Sequence, residues 1–153
     1  MTPATLTPGS TGPVLDFLRL LWRVKHGMER RSRRMQGDLG ITAPQRMVVR
    51  MVGLFPGIAA GELAELLHVD PGTLSSTLRR LADAGFVRRG ADPEDGRRVR
   101  ISLTPRGALL NRAAQGTVEE AVARALAVTH PTSIRRTRQA LLALARELEE
   151  QGA

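Results

Sequence analysis

Between Pro71 and Ala84 the sequence places Thr73, Ser75, Ser76, Arg79 and Arg80 on one side of a helical period and Leu74, Leu78 and Leu81 on the other. Small hydroxyls near the amino end of such a helix allow close approach to base edges. Guanidinium forks beyond them pair with phosphate or guanine. The chemistry on offer is hydrogen bonding to a polyanion. Further along, Asp95-Gly96-Arg97-Arg98 brings two more guanidinium groups to a turn between extended segments, from which Arg97 can enter a narrow, negative groove. Asp95 repels phosphate, so its expected work is to orient Arg97 or cap the turn.

Bond-making chemistry has no comparable constellation. The chain holds no G-x-S-x-G, H-E-x-x-H or P-loop pattern, and Glu119-Glu120 and Glu149-Glu150 are sequential neighbours that point apart on a helix. Cysteine is absent and His26, His68 and His130 are scattered, which leaves no thiol nucleophile and no metal-ligand spacing. The expectation is a protein with no catalytic residues, no metal and no cofactor.

The charge fits this reading. The 153 residues carry 23 basic and 15 acidic side chains, a formal net charge of +8, which favours an anionic partner. The excess is local: residues 19–50 hold nine basic and two acidic groups, and residues 70–106 hold eight and five. All the basic residues but Lys25 are Arg, and Arg30, Arg31, Arg33 and Arg34 form a cluster. Met1 to Pro13 is rich in Thr, Pro and Gly, with neither a basic leader nor an apolar stretch, and reads as a flexible arm of a cytoplasmic protein. No apolar run reaches the roughly 18 residues that a membrane-spanning helix needs.

The elements that must position these residues are mostly helical. Val14, Phe17, Leu18, Leu21, Val24 and Met28 recur at helical spacing over 14–34, and residues 37–41 are expected to break that helix. Thr42-Ala43-Pro44-Gln45 is a capping box that opens a second helix through Leu54, stopped by Phe55-Pro56-Gly57. Ala60–Leu67 is a third helix. Asp70-Pro71 starts the fourth, and Gly85 is its exit. The period then falls to two: residues 86–89 and 98–103 read as strands around a turn, with Val99, Ile101 and Leu103 on one face. Thr104-Pro105 opens a helix expected to run unbroken to about His130, a rod of roughly 40 Å. A last helix follows Pro131-Thr132. A helix-turn-helix extended by a basic hairpin is a winged helix. The fold expected is therefore mainly α: a winged helix-turn-helix over 37–103, flanked by helices at 14–36 and 104–153 whose spare apolar faces pack elsewhere.

The run Glu62-Leu63-Ala64, Val69-Asp70-Pro71-Gly72-Thr73-Leu74-Ser75, Gly85-Phe86-Val87-Arg88-Arg89, Asp95-Gly96-Arg97-Arg98 and Leu103-Thr104-Pro105-Arg106-Gly107 closely resembles the MarR (multiple antibiotic resistance regulator) family. The resemblance covers nearly the whole chain in element order and is most specific at Asp95-x-Arg97 and Leu103-Thr104-x-x-Gly107. It implies a homodimer that binds double-stranded DNA at a palindromic operator, usually as a repressor released by a small-molecule effector. Carried over by position, it implies base contacts from Thr73, Ser75 and Ser76, phosphate or base contacts from Arg79 and Arg80, and minor-groove insertion by Arg97. It also brings Trp22, His26, Arg46 and Arg50 forward as an effector site between the dimerisation helices and the winged unit. Two departures stand out: Ser76 occupies a position that is often Arg, and Ala60 stands where a hydroxyl cap is usual. Two other functions fit the same charge, a non-specific architectural nucleic-acid binder and a helical module that meets an acidic protein.

Overall fold

The computed structural model describes residues 12–150. The expected arm at 1–13 lies outside these except for its end, where Pro13 already opens α1 (Pro13–Leu39). This helix is longer than expected. Gly37 faces open space, so it costs only about 1 kcal/mol of helix propensity and breaks nothing. Met35 and Leu39 anchor the last turns in the core, and Gly40, at φ +69°, ends the helix by donating its N–H to the Gln36 carbonyl.

Next come α2 (Ala43–Leu54), β1 (Ile58–Ala59), α3 (Ala60–Leu67) and α4 (Pro71–Asp83). The capping box at Thr42 forms as expected: its hydroxyl accepts from the Gln45 N–H at 3.3 Å, and the Gln45 side chain accepts from the Thr42 N–H at 3.0 Å. The cap of α3 is Ala59 rather than Ala60; it has no hydroxyl to cap the helix, but the Glu62 carboxylate accepts the Ala59 N–H at 3.1 Å. α3 leaves through His68, the one non-glycine residue with positive φ (+52°) among those described.

Strands β2 (Val87–Ala91) and β3 (Val99–Leu103) pair antiparallel, with Arg89 opposite Ile101. β1 adds to the other edge of β3, Ile58 opposite Ile101, giving the order β1-β3-β2. Two residues are too few for a period, so β1 was not legible as a strand. One core unites these elements: Val48, Val49 and Val52 of α2, Leu63 and Ala64 of α3, Leu74, Leu78 and Leu81 of α4, Phe86 just before β2, and Val87 and Ile101 of the sheet.

The rod expected from Thr104 to His130 is instead two helices, α5 (Pro105–Leu110) and α6 (Val118–Ala127), followed by α7 (Pro131–Glu150). The break has a physical cause. Gly116 turns the chain at φ +77°, and Thr117, fully buried, caps α6 by accepting the Glu120 N–H at 3.2 Å. The carbonyls left over at the end of α5 are taken by arginines of α2 rather than by another turn of helix. Neither α6 nor α7 has a single buried residue.

Candidate nucleic-acid interface

Burying Leu74, Leu78 and Leu81 fixes which side of α4 faces out. That side carries Ser76, Arg79 and Arg80 in the open, with Ser75 half-buried beside them. Among the described residues no hydrogen bond or ion pair engages the side chains of Ser75, Ser76, Arg79 or Arg80, so their donors are free for a ligand. Ser75 and Arg79, like Ser76 and Arg80, are one turn apart and form two parallel hydroxyl-guanidinium rows.

Thr73 differs from its neighbours. Its N–H donates to Asp70 Oδ1 at 2.9 Å and its hydroxyl donates to Asp70 Oδ2. The one hydroxyl proton is therefore spent on the helix cap, which leaves the Thr73 oxygen only acceptor capacity toward a ligand. The Thr73 hydroxyl, then its N–H, holds the Asp70 carboxyl below the usual carboxylate range. A charge fixed at the first turn suits the helix dipole.

The wing is built from its root outward. Asp92 is buried and its carboxylate receives Arg100 through Nε at 2.9 Å and Nη2 at 2.8 Å. Arg100 Nη1 donates to the Gly57 carbonyl at 3.0 Å, which ties the wing to the chain entering β1. Asp92 also accepts the Glu94 N–H at 2.9 Å; that bond first, and Arg100 second, lowers its pKa against a burial cost of opposite sign. At the tip Asp95 Oδ1 accepts the Arg97 N–H at 3.1 Å, and the Asp95 carbonyl accepts the Arg98 N–H at 2.9 Å. Asp95 thus caps the turn, as one of the two expectations had it. Its carboxylate leans toward Arg98 at 3.9 Å, while the Arg97 guanidinium is exposed and unpaired among the described residues. The Asp92–Arg100 brace went unnoticed in the sequence, where Asp92-Pro93 reads only as turn chemistry and Arg100 only as the polar side of a strand.

Trp22, His26, Arg46 and Arg50 do not share one environment. Trp22 is 57% exposed and His26 lies open on the same stripe of α1. Arg46, 1% exposed, is enclosed between α2, α5 and α6. Its Nε donates to Glu119 Oε1 at 2.8 Å, and its two other nitrogens donate to the carbonyls of Leu110 and Arg112. Arg50, half-buried one turn on, donates to the Asn111 carbonyl and side chain.

A family model described as MarR family matches residues 39–98. An HTH-type transcriptional repressor of Mycobacterium tuberculosis is 37% identical over 108 residues, covering 71% of this chain and 78% of the relative. The chain belongs to the MarR family. The multiple antibiotic resistance protein MarR of Escherichia coli is 35% identical over 97 residues, 63% of this chain and 67% of that protein. Among solved structures, a mutant MarR from E. coli complexed with operator DNA superposes with a TM-score of 0.69 at 26% identity, covering 86% of this chain and 94% of that one. The transcriptional regulator SlyA has the same fold, with a TM-score of 0.74 at 24% identity over 89% of this chain and 96% of its own. The winged helix-turn-helix expected from the sequence is thus the MarR fold, and the family is one of transcriptional regulators rather than enzymes. No helix among the described residues is long and apolar enough to cross a membrane.

Proposed function

We propose that this chain is a homodimeric repressor that binds a palindromic DNA operator through α4 and the wing and is released by a small-molecule effector. The observation that carries the reading is the division of α4: an apolar stripe sealed in the core, and a polar side on which Ser76, Arg79 and Arg80 are open, Ser75 is half-buried and all four are unpaired among the described residues. Ser75, Ser76, Arg79 and Arg80 meet the major groove, and Arg97, with Arg98 beside it, follows the adjacent minor groove. Thr73 contributes as an acceptor behind them. Asp95 holds the wing tip in shape. The DNA-bound MarR structure of the same fold supports this choice of partner.

Dimerisation follows from what α1, α6 and α7 leave uncovered. Phe17, Trp22, Val24, Leu126, Leu141 and Leu142 are exposed on these helices. A cleft of about 440 Å³ between α6 and α7 is lined by Leu126, Ile134, Leu141 and Leu142. A second copy that inserts its own apolar side chains here brings two recognition helices into register with successive turns of DNA, about 34–36 Å apart. A second cleft of about 420 Å³ between α1 and α6, with Arg30, Arg31 and Arg34 at its rim, is large enough for a small organic effector. Trp22 and His26 do not line this cleft, and every guanidinium nitrogen of Arg46 is engaged within the chain.

Light scattering tests the first half: twice the 16.6 kDa chain mass is expected at micromolar concentration. Selection from a random duplex library tests the second. A palindrome bound at least ~10³-fold more tightly than random DNA is expected. Steep salt dependence without sequence preference would make the chain an architectural binder. No binding to duplex, with capture of an acidic protein, would make it an interaction module.

A further inference from the structure

We infer that Arg46, Arg50 and Glu119 form a positioning device that sets the angle of the winged unit on the flanking helices and thereby the half-site spacing the protein accepts. The inference rests on the dimeric reading above. Arg46 and Arg50 lie one turn apart on α2, and the opposite side of α2 is the core side, where Val48, Val49 and Val52 belong to one buried cluster with Leu63 and Ala64 of α3, Ile101 of β3 and the stripe of α4. Any rotation of α2 is therefore carried to the recognition helix. On their own side the two arginines take three consecutive carbonyls, Leu110, Asn111 and Arg112, where α5 ends. Both also converge on one carboxylate oxygen of Glu119 in the first turn of α6, Arg46 at 2.8 Å and Arg50 at 3.6 Å.

Gly53, the next residue on that side, leaves room for Asn111; a β-carbon there would lie 2.2 Å from the Asn111 amide nitrogen. From α1, Arg31 donates to the Thr117 carbonyl at 3.3 Å and approaches Glu120 at 3.8 Å. The junction between α5 and α6 is thus a fixed joint. Burying Arg46 has a desolvation cost that an apolar side chain would avoid. What directional bonds add over an apolar contact is a single angle. On DNA, one base pair more or less between half-sites shifts a recognition helix by about 3.4 Å along the axis, so an angular setting is read as spacer preference.

The test uses the full chain and a palindromic duplex that it selects from a random library, together with copies whose central spacer is one base pair longer or shorter. The wild type is expected to lose at least tenfold in affinity on either altered spacer. Glu119→Ala should reduce that penalty to less than threefold with dimer mass and helical circular dichroism unchanged. Glu119→Gln, which keeps an acceptor for Arg46, should restore part of the preference. Should Glu119→Ala lose its helical signal, Arg50→Ala, which leaves Arg46 paired, carries the same test. A properly folded variant with the wild-type penalty overturns the inference. A wild type indifferent to spacer overturns the dimeric palindrome reading itself.

Discussion

The carbonyl oxygen of Phe86 lies 1.9 Å from the point that a β-carbon would occupy on Gly107. Only glycine lets α5 begin against the strand that leaves α4. Thr104 completes the junction: its N–H donates to the Phe86 carbonyl at 3.1 Å, its hydroxyl donates to the Gly85 carbonyl, and it accepts the Gly107 N–H at 3.0 Å. Arg106 stacks its guanidinium 4.9 Å from the centre of the Phe86 ring. Leu103-Thr104-x-x-Gly107 is therefore a packing motif that holds the exit of α4.

Gly107→Ala should destabilise the chain by about 2–3 kcal/mol, since the obstacle is backbone and has nowhere to go. A urea titration followed by circular dichroism checks this. An unchanged midpoint would mean that α5 can shift freely, contrary to the packing described.

Arg97→Ala should cost about 1–3 kcal/mol of DNA binding and leave thermal unfolding where it is, because the exposed guanidinium makes no hydrogen bond or ion pair among the described residues. Fluorescence anisotropy on the selected duplex measures the first quantity and a thermal melt the second. Arg97→Lys should recover only part of the loss, having a charge but no fork.

Acid should loosen the wing through Asp92. Its folded-state pKa is lowered from 3.8, so its contribution to stability is complete above that value and disappears as pH falls through the lower, folded one. Asp92→Asn should therefore reduce stability at neutral pH and flatten the acid limb of a stability-against-pH curve measured in urea. An acid limb as steep as that of the wild type would assign the acid sensitivity to other carboxylates.

His68→Gly should stabilise the chain by about 0.5–1 kcal/mol. The residue ends α3 at φ +52°, a region that glycine enters without the clash a β-carbon makes. The effect is read as a higher urea midpoint at constant slope.

The parts of the fold that were legible are those whose cause is local. Thr42 with Gln45, Asp70 with Pro71, and Thr104 with Pro105 each announce a helix start by side-chain chemistry within one turn, and the leucines of α4 announce which side is buried. The polar side of α4 and the wing tip followed from the same patterns. What escaped depends on contacts distant in sequence. The break between α5 and α6 needs Arg46 and Arg50 from more than sixty residues away, and the wing needs Gly57 to receive Arg100. Arg46, expected beside an effector, is instead enclosed at that joint, because an arginine on an amphipathic helix carries no local mark of the carbonyls that will surround it. Gly37 misled in the opposite sense, since a glycine marks a helix end only where its neighbours lack anchors such as Met35 and Leu39.

Hydroxyl-radical footprinting of the full chain on its selected duplex tests the central claim most directly. Two equal protected patches about one helical turn apart, related by a two-fold axis, with protection of the flanking minor groove lost in Arg97→Ala, are predicted. A single patch, or uniform protection that slides with the ends of the duplex, would contradict the assignment of α4 and the wing as paired readers of an operator.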